Sequence, residues 1–208
     1  AYLASARGGT YGEARGDLVG SYDPEGAKQL LAEAGYGEGK TVPQFEYLFN
    51  TDDENKAIAE QLQMMWKDIG VKDIRLQNVE WGTFINRAYS HDFDACRASW
   101  VGDYLDAMTF LELFTTGNEK NSPQYSNPEY DKLIAQARTE TDPVKREDLL
   151  IEAEKLIIEQ DCIVAPIYSY VSPILVRDEI KGFSRNLLDN YLYTRAYRET
   201  PEETKMEE

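Results

Sequence analysis

Phe45-Glu46-Tyr47-Leu48-Phe49-Asn50-Thr51-Asp52-Asp53 is the stretch on which the fold turns. Apolar and aromatic residues dominate its first half and a polar cluster closes it, which is the pattern of a strand running into a turn. A helix is predicted from about Glu54 to Ile69, with Ile58, Leu62, Met65 and Ile69 on one stripe and Gly70 as its stop. Met64 and Met65 are packing residues in this reading. Ile74, Leu76 and Val79 then alternate as a second strand. Strand, helix and strand in that order make a βαβ unit, and the crossover requires the two strands to be parallel.

On the N-terminal side, Asp23-Pro24-Glu25 starts a helix, because Asp23 can cap and Pro24 suits the first helical position. Ala27, Leu30, Leu31 and Ala34 share one face of it, and Gly35 stops it. Residues 1–22 hold Gly8-Gly9, Gly12, Gly16 and Gly20 without sustained periodicity and are predicted to be loop or linker. On the C-terminal side, Trp81 opens a short helix carrying Phe84, Ile85 and Ala88. The segment Phe93-Asp94-Ala95-Cys96-Arg97-Ala98-Ser99-Trp100-Val101 reads as a buried strand, and Gly102-Asp103-Tyr104-Leu105-Asp106 as a turn dense with acidic and aromatic groups. Met108, Phe110, Leu111 and Phe114 are spaced for a short helix, and Thr115–Ser126 is a polar surface loop. Asn127-Pro128 and Asp142-Pro143 each start a helix, and the pair forms a hairpin. Cys162–Tyr170 is apolar and β-rich, Pro173–Arg177 continues extended, Tyr191–Tyr197 is a last strand, and 201–208 is a disordered acidic tail. The alternation of strands and helices predicts an α/β domain whose mixed sheet is flanked by helices.

A chain of 208 residues can bury a core without staples. Its net charge of −16, from 38 acidic and 22 basic residues, argues against nucleic acid or anionic membrane as a partner, since both need a basic footprint. Fourteen tyrosines suit wet binding clefts as well as strands. Cys96 and Cys162 lie in apolar runs too far apart for a CxxC motif; a disulfide and a pair of buried thiols both fit, with buried thiols the expectation. No run approaches the length of a membrane-spanning helix, and the first residues form neither a signal peptide nor a lipidation box, so the chain as it stands is expected to be soluble.

Chemistry-bearing motifs are scarce. His91, the single histidine, is flanked by Asp92 and Asp94, but a lone histidine in a polar connection reads as a surface residue rather than a metal ligand. Asp103 and Asp106 do not make a glycosidase pair on sequence spacing alone. GxSxG, GxxxxGK and HExxH are all missing from the sequence. A binding reading has more support. A carboxylate on the turn at Asp103 can hold an ammonium, Arg97 can hold a carboxylate bidentately, and Gly102 frees the backbone between them. By pattern alone these residues and Trp100 are equally a ligand site or a well-packed strand end.

The series Tyr22-Asp23-Pro24-Glu25-Gly26-Ala27-Lys28-Gln29-Leu30-Leu31-Ala32-Glu33-Ala34-Gly35-Tyr36, then Val79-Glu80-Trp81, Phe93-Asp94, Trp100-Val101-Gly102-Asp103-Tyr104-Leu105-Asp106, Tyr125-Ser126-Asn127-Pro128-Glu129-Tyr130-Asp131 and Ala165-Pro166-Ile167-Tyr168 resembles the C-terminal part of the peptide/nickel-type extracellular solute-binding proteins. These receptors feed peptide ABC importers. The match runs over residues about 22–197 in order and with nearly the family's spacing. The resemblance implies a periplasmic-binding-protein-like, type II clamshell, with this chain supplying the C-terminal α/β lobe. Residues 1–21 would be linker, 22–172 the lobe, and 173–200 hinge and strands returning to an N-terminal lobe that is missing here.

What the resemblance implies for the site is equally specific. The aspartate at the place of Asp103 grips a peptide ammonium, with Tyr104 beside it, and the arginine at the place of Arg97 can hold a carboxylate. Trp81 and Trp100 line side-chain pockets, Asn50 and Asn55 fall near a cleft-facing loop, and Tyr168 and Tyr170 near the hinge-side wall. Some members carry a histidine where this chain has Asn55, so their carboxylate recognition and peptide length do not carry over. The implied partners are a peptide, the membrane permease of an ABC importer and the N-terminal lobe, outside the cytoplasm in the periplasm or at the cell surface; no cofactor and no enzyme activity is implied. Nickel, haem and sugar binders of the same family, a signalling receptor on the same fold, and a carboxylate-dependent hydrolase are the alternatives, and the Asp103 turn favours peptides.

Overall fold

The structure is a computed structural model that describes residues 3–18, 20, 22–37, 39–186, 188 and 190–199. The predicted disordered tail at 201–208 lies outside the described residues. The chain groups into two compact units, one of Val19–Trp100 and Glu112–Lys132, the other of Ala1–Leu18, Val101–Leu111 and Leu133–Glu208. Seven helices are used below: α1 (Tyr11–Arg15), α2 (Pro24–Glu33), α3 (Asp53–Asp68), α4 (Trp81–Tyr89), α5 (Met108–Leu111), α6 (Pro128–Thr139) and α7 (Pro143–Lys155).

The first unit is built on the βαβ element. Strands β1 (Phe45–Asn50) and β2 (Ile74–Val79) pair in parallel along their whole length, from Phe45 opposite Ile74 to Asn50 opposite Val79. A third strand, β3 (Ala95–Cys96), pairs in parallel with the other edge of β1, giving the order β2-β1-β3. Right-handed crossovers that run first to one side of β1 and then to the other put α3 and α4 on opposite faces of the sheet. Tyr47 and Phe49 are buried on the α3 face with Ala59, and Leu62, Trp66, Leu76 and Ala95 pack against them. Alternation turns Leu48, which is fully buried, to the other face. The cap of α3 is Asp52, whose carboxylate accepts from the Glu54 and Asn55 N–H groups, and α2 is capped by Asp23 as the sequence predicts.

Two sequence expectations fail in this unit. The run Phe93–Val101 is not a buried strand: only Ala95–Cys96 is in the ladder, and Ala98, Ser99 and Trp100 are exposed. The Arg97 N–H still donates to the Leu48 carbonyl, but β1 ends two residues later at Asn50 and turns into the cap of α3, so nothing remains for the chain to pair with. The Thr115–Ser126 loop is not purely surface. Asn121 is 3% exposed, donates to the Thr115 and Tyr125 carbonyls and accepts from the Tyr125 N–H, and Tyr125 stands edge-on to buried Tyr130. A buried amide with its polar atoms satisfied ties such a loop down. His91 is exposed, and its Nδ1–H donates to the Ser122 carbonyl at 2.7 Å.

In the second unit residues 3–18, part of the predicted linker, are ordered. Ala4 bridges Thr10, and the tight reversal between them needs Gly8 and Gly9 at φ 87° and 73°, where a side chain is strained. Thr10 and Glu13 form a capping box for α1. Three donors from this segment, the Ser5 hydroxyl, the Ala6 N–H and the Arg7 guanidinium, converge on buried Glu147 of α7. The Tyr11 hydroxyl and Arg15 both reach Glu154, and burial, together with the Glu154 charge, pushes the Tyr11 phenol up. Past α7 the chain makes one π-helical turn, Leu156–Gln160.

Beyond that turn the segments expected to be β-rich form no strand through residue 176, with Val171 81% and Leu175 fully exposed. The single strand expected at Tyr191–Tyr197 is two short ones, β6 (Tyr191–Leu192) and β7 (Tyr197–Arg198), separated by a turn. They pair antiparallel with β5 (Ser184–Arg185) and β4 (Ile180–Lys181) respectively. The three-stranded sheet is therefore parallel, and the two small ladders are antiparallel. No helix among the described residues is long and apolar enough to cross a membrane.

The thiols differ from expectation as well. Both are free; Cys162 is exposed, and Cys96 is half-buried. Burial pushes the Cys96 thiol up to about 11, against the opposing charge of Arg97. Its thiolate is then about a hundredfold scarcer than that of an ordinary cysteine near pH 8. Titration of the native protein with a colorimetric disulfide reagent at pH 8 is expected to show one fast thiol, and a second only on unfolding. Two fast thiols would contradict this burial.

Candidate ligand-binding site

The carboxyl ends of β1, β2 and β3 lie at one edge of the sheet, and the order β2-β1-β3 places the change of direction between β1 and β3. In open parallel sheets that is where ligands bind, because the strand ends and helix starts leave a crevice there. Three predicted residues stand at this edge: Asn50 ends β1, Trp81 follows β2 by two positions, and Arg97 follows β3 by one. Trp81 is 53% exposed while stacking on Phe84 at 5.8 Å, so it offers a fixed aromatic surface. Trp100 is 37% exposed beyond the end of β3.

Asn55 takes a different place from the one expected of a ligand contact. It is buried on the first turn of α3 and donates its amide to the Asn50 Oδ1 at 3.2 Å. It therefore orients Asn50, and the structure brings these two together.

In the second unit, Asp103 and Tyr104 lie exposed on the turn Gly102–Asp106. The Asp103 N–H donates to the Thr109 hydroxyl at 3.0 Å, and Thr109 is almost fully buried. Gly102 is not in the left-handed region, so it is needed for close approach and not, as the sequence suggests, for backbone freedom. A Cβ there would lie 3.0 Å from the Thr109 methyl and 3.2 Å from the Phe110 ring.

Asp106 is engaged in an ion pair. Its carboxylate takes a bidentate pair from Arg146 at 2.7 and 2.9 Å and accepts from the Met108 N–H at 2.8 Å. Burial alone raises such a carboxyl, but the hydrogen bonds from Arg146 and Met108 and the Arg146 charge outweigh it and hold Asp106 below the usual carboxylate range. Thr109 and Arg146 are the site-related residues that sequence reading missed. Arg146 lies 40 positions from its partner on a helix whose periodicity marks it only as polar.

Tyr168 and Tyr170 form a tilted pair with centroids 4.7 Å apart and are about half-exposed. No group of three or more histidine, cysteine or acidic residues suited to holding a metal occurs among the described residues.

A parallel sheet with aromatic, amide and guanidinium groups at its carboxyl edge has the crevice architecture of a solute-binding module. The chain belongs to the bacterial extracellular solute-binding proteins of family 5, whose middle-region profile matches residues 4–122. It is 41% identical over 171 residues to the periplasmic murein peptide-binding protein MppA of Escherichia coli K12, covering 82% of this chain and 31% of that one. The solved structure of the Escherichia coli murein tripeptide binding protein superposes with a TM-score of 0.75 at 40% identity, over 84% of this chain and 34% of that one. Haemophilus influenzae OppA in complex with the peptide RPPGFSPFR superposes with a TM-score of 0.74 at 32% identity, over 89% and 38%. The chain thus spans about a third of the length of these relatives. The family is one of binding proteins.

Proposed function

We propose that this chain is the C-terminal lobe, residues 22–172, of an extracytoplasmic receptor that captures peptides and hands them to an ABC importer, and that it performs no catalysis. The observation that carries this reading is the placement of Asn50, Trp81 and Arg97 at the carboxyl edge of one parallel sheet. The names of the relatives, murein peptide-binding and oligopeptide-binding proteins, supply the ligand class. The exposed apolar segment around Val171 and Leu175 supports a missing surface against which it packs, which is the role proposed for an N-terminal lobe and for residues 173–200 as the return to it.

In this mechanism Asp103 holds the peptide ammonium by charge-assisted hydrogen bonds, and Arg97 offers a fork to a carboxylate. Trp81, Trp100 and the tyrosines Tyr104, Tyr168 and Tyr170 give broad aromatic walls, where bridging water tolerates varied side chains at little cost. Ligand favours the closed clamshell because only there do both lobes touch it. The full-length clamshell is accordingly the protein to assay.

Calorimetry with tripeptides tests the reading. The wild type is expected to bind free-amine peptides more tightly than N-acetylated ones. Asp103→Ala is expected to weaken free-amine binding by about 2 kcal/mol, roughly thirtyfold, and to leave acetylated binding unchanged. Equal affinity of the wild type for the two peptide forms would sink the assignment.

A further inference from the structure

The turn that bears Asp103 is held from three directions. The Asp103 N–H is fixed on the buried Thr109 hydroxyl. Three residues on, Asp106 is gripped by both Arg146 nitrogens and caps the Met108 N–H, and its own N–H donates to the Tyr104 carbonyl at 2.9 Å. The third nitrogen of Arg146, Nε, donates to the Ala137 carbonyl of α6 at 3.0 Å. Arg146 thus joins α7, the end of α6 and the turn. Thr109 has a second duty, because its methyl group fills the space beside Gly102.

An exposed carboxylate on a free loop loses conformational freedom when it captures a ligand, and a pinned backbone removes that cost in advance. We infer that Thr109 and the Asp106–Arg146 pair are positioning residues for the Asp103 carboxylate, an inference that rests on Asp103 being the ammonium anchor. They touch no ligand themselves. Their effect is confined to ligands that use Asp103, and that separates positioning from plain structural support.

The experiment is a thermodynamic cycle in the full-length protein, with free-amine and N-acetylated tripeptides as probes. Thr109→Val, which keeps the shape and removes the hydroxyl, is expected to weaken free-amine binding about tenfold and acetylated binding by less than about twofold. Thr109→Ser is expected to restore it. In the Asp103→Ala background, Thr109→Val is expected to have no further effect. Arg146→Lys, which keeps the charge but breaks the fork, is expected to follow the same pattern and serves where the valine variant folds poorly.

Equal losses for both peptide forms, or full additivity with Asp103→Ala, would overturn the inference. If Asp103→Ala fails to separate the peptides, it is the ammonium reading that falls, and hydrogen exchange at the Asp103 amide then decides the positioning. Exchange about tenfold faster in Thr109→Val and unchanged in Thr109→Ser supports it; unchanged exchange in the valine variant rejects it.

Discussion

Replacing Glu147 by alanine is expected to destabilise the chain by about 3 kcal/mol, the range seen when a buried, hydrogen-bonded ionic partner is removed. The carboxylate is 5% exposed and accepts from the Ser5 hydroxyl at 3.0 Å, the Ala6 N–H at 2.9 Å and the Arg7 guanidinium. Arg7 itself is 38% exposed and has Asp148 as a second partner, so the ion pair taken alone is screened by solvent and supplies the smaller part. The remainder comes from the two neutral donors and the packing that surrounds them. Burial raises the Glu147 carboxyl, but its three hydrogen bonds and the Arg7 charge lower it more, and the net direction is down. A carboxyl depressed by folding adds stability that is complete above its unfolded pKa of about 4.3 and is lost as pH falls through the folded value. Asp106 has the same sign. Urea unfolding of the wild type should therefore weaken steeply below about pH 4.5, and Glu147→Gln should show a shallower fall over that window. A Glu147→Ala loss under about 1 kcal/mol would mean that the contacts of residues 5–7 with Glu147 do not hold that turn to α7.

That segment also shows where sequence reading stops. The βαβ unit was legible because each of its elements carries its own period: the Ile58, Leu62, Met65 stripe and the alternation at Ile74–Val79 are local facts, and the boundaries fall within a residue or two. The N-terminal glycine-rich run has no period, and its order comes from a glutamate 142 residues from Ser5. Strand β3 was overread for a related reason. Its apolar composition extends through Trp100, but its length is set by β1, which ends at Asn50. The same holds for Gly102, where only the Thr109 methyl and Phe110 ring reveal why a side chain would be crowded. Of the candidate site, residue types and positions were legible through family resemblance, while the supports were not. Asn55 orienting Asn50 and Arg146 gripping Asp106 are pairings that no single element displays.

Leu48→Ala is expected to cost about 3 kcal/mol, within the range for deleting a fully buried leucine and leaving part of a cavity behind. Leu48 is 0% exposed in the central strand, on the face opposite Tyr47 and Phe49. Its backbone is shared by both neighbours: it lies opposite Gln77 of β2 and Cys96 of β3, and its carbonyl accepts from the Arg97 N–H at 2.8 Å. A cavity at this point loosens the strand whose end carries Asn50 and the pairing that places Arg97, so the damage runs from packing to the binding edge. Leu48→Met, which conserves volume, should cost less than about 1.5 kcal/mol and leave that edge intact. Equilibrium urea unfolding distinguishes the two, since a pure stability loss shifts the midpoint without changing the slope. A cost near that of the methionine variant would show that the α4 face of the sheet is not close-packed around Leu48. The α3 face, with its Tyr47–Trp66 edge contact at 5.8 Å, would then carry the sheet alone.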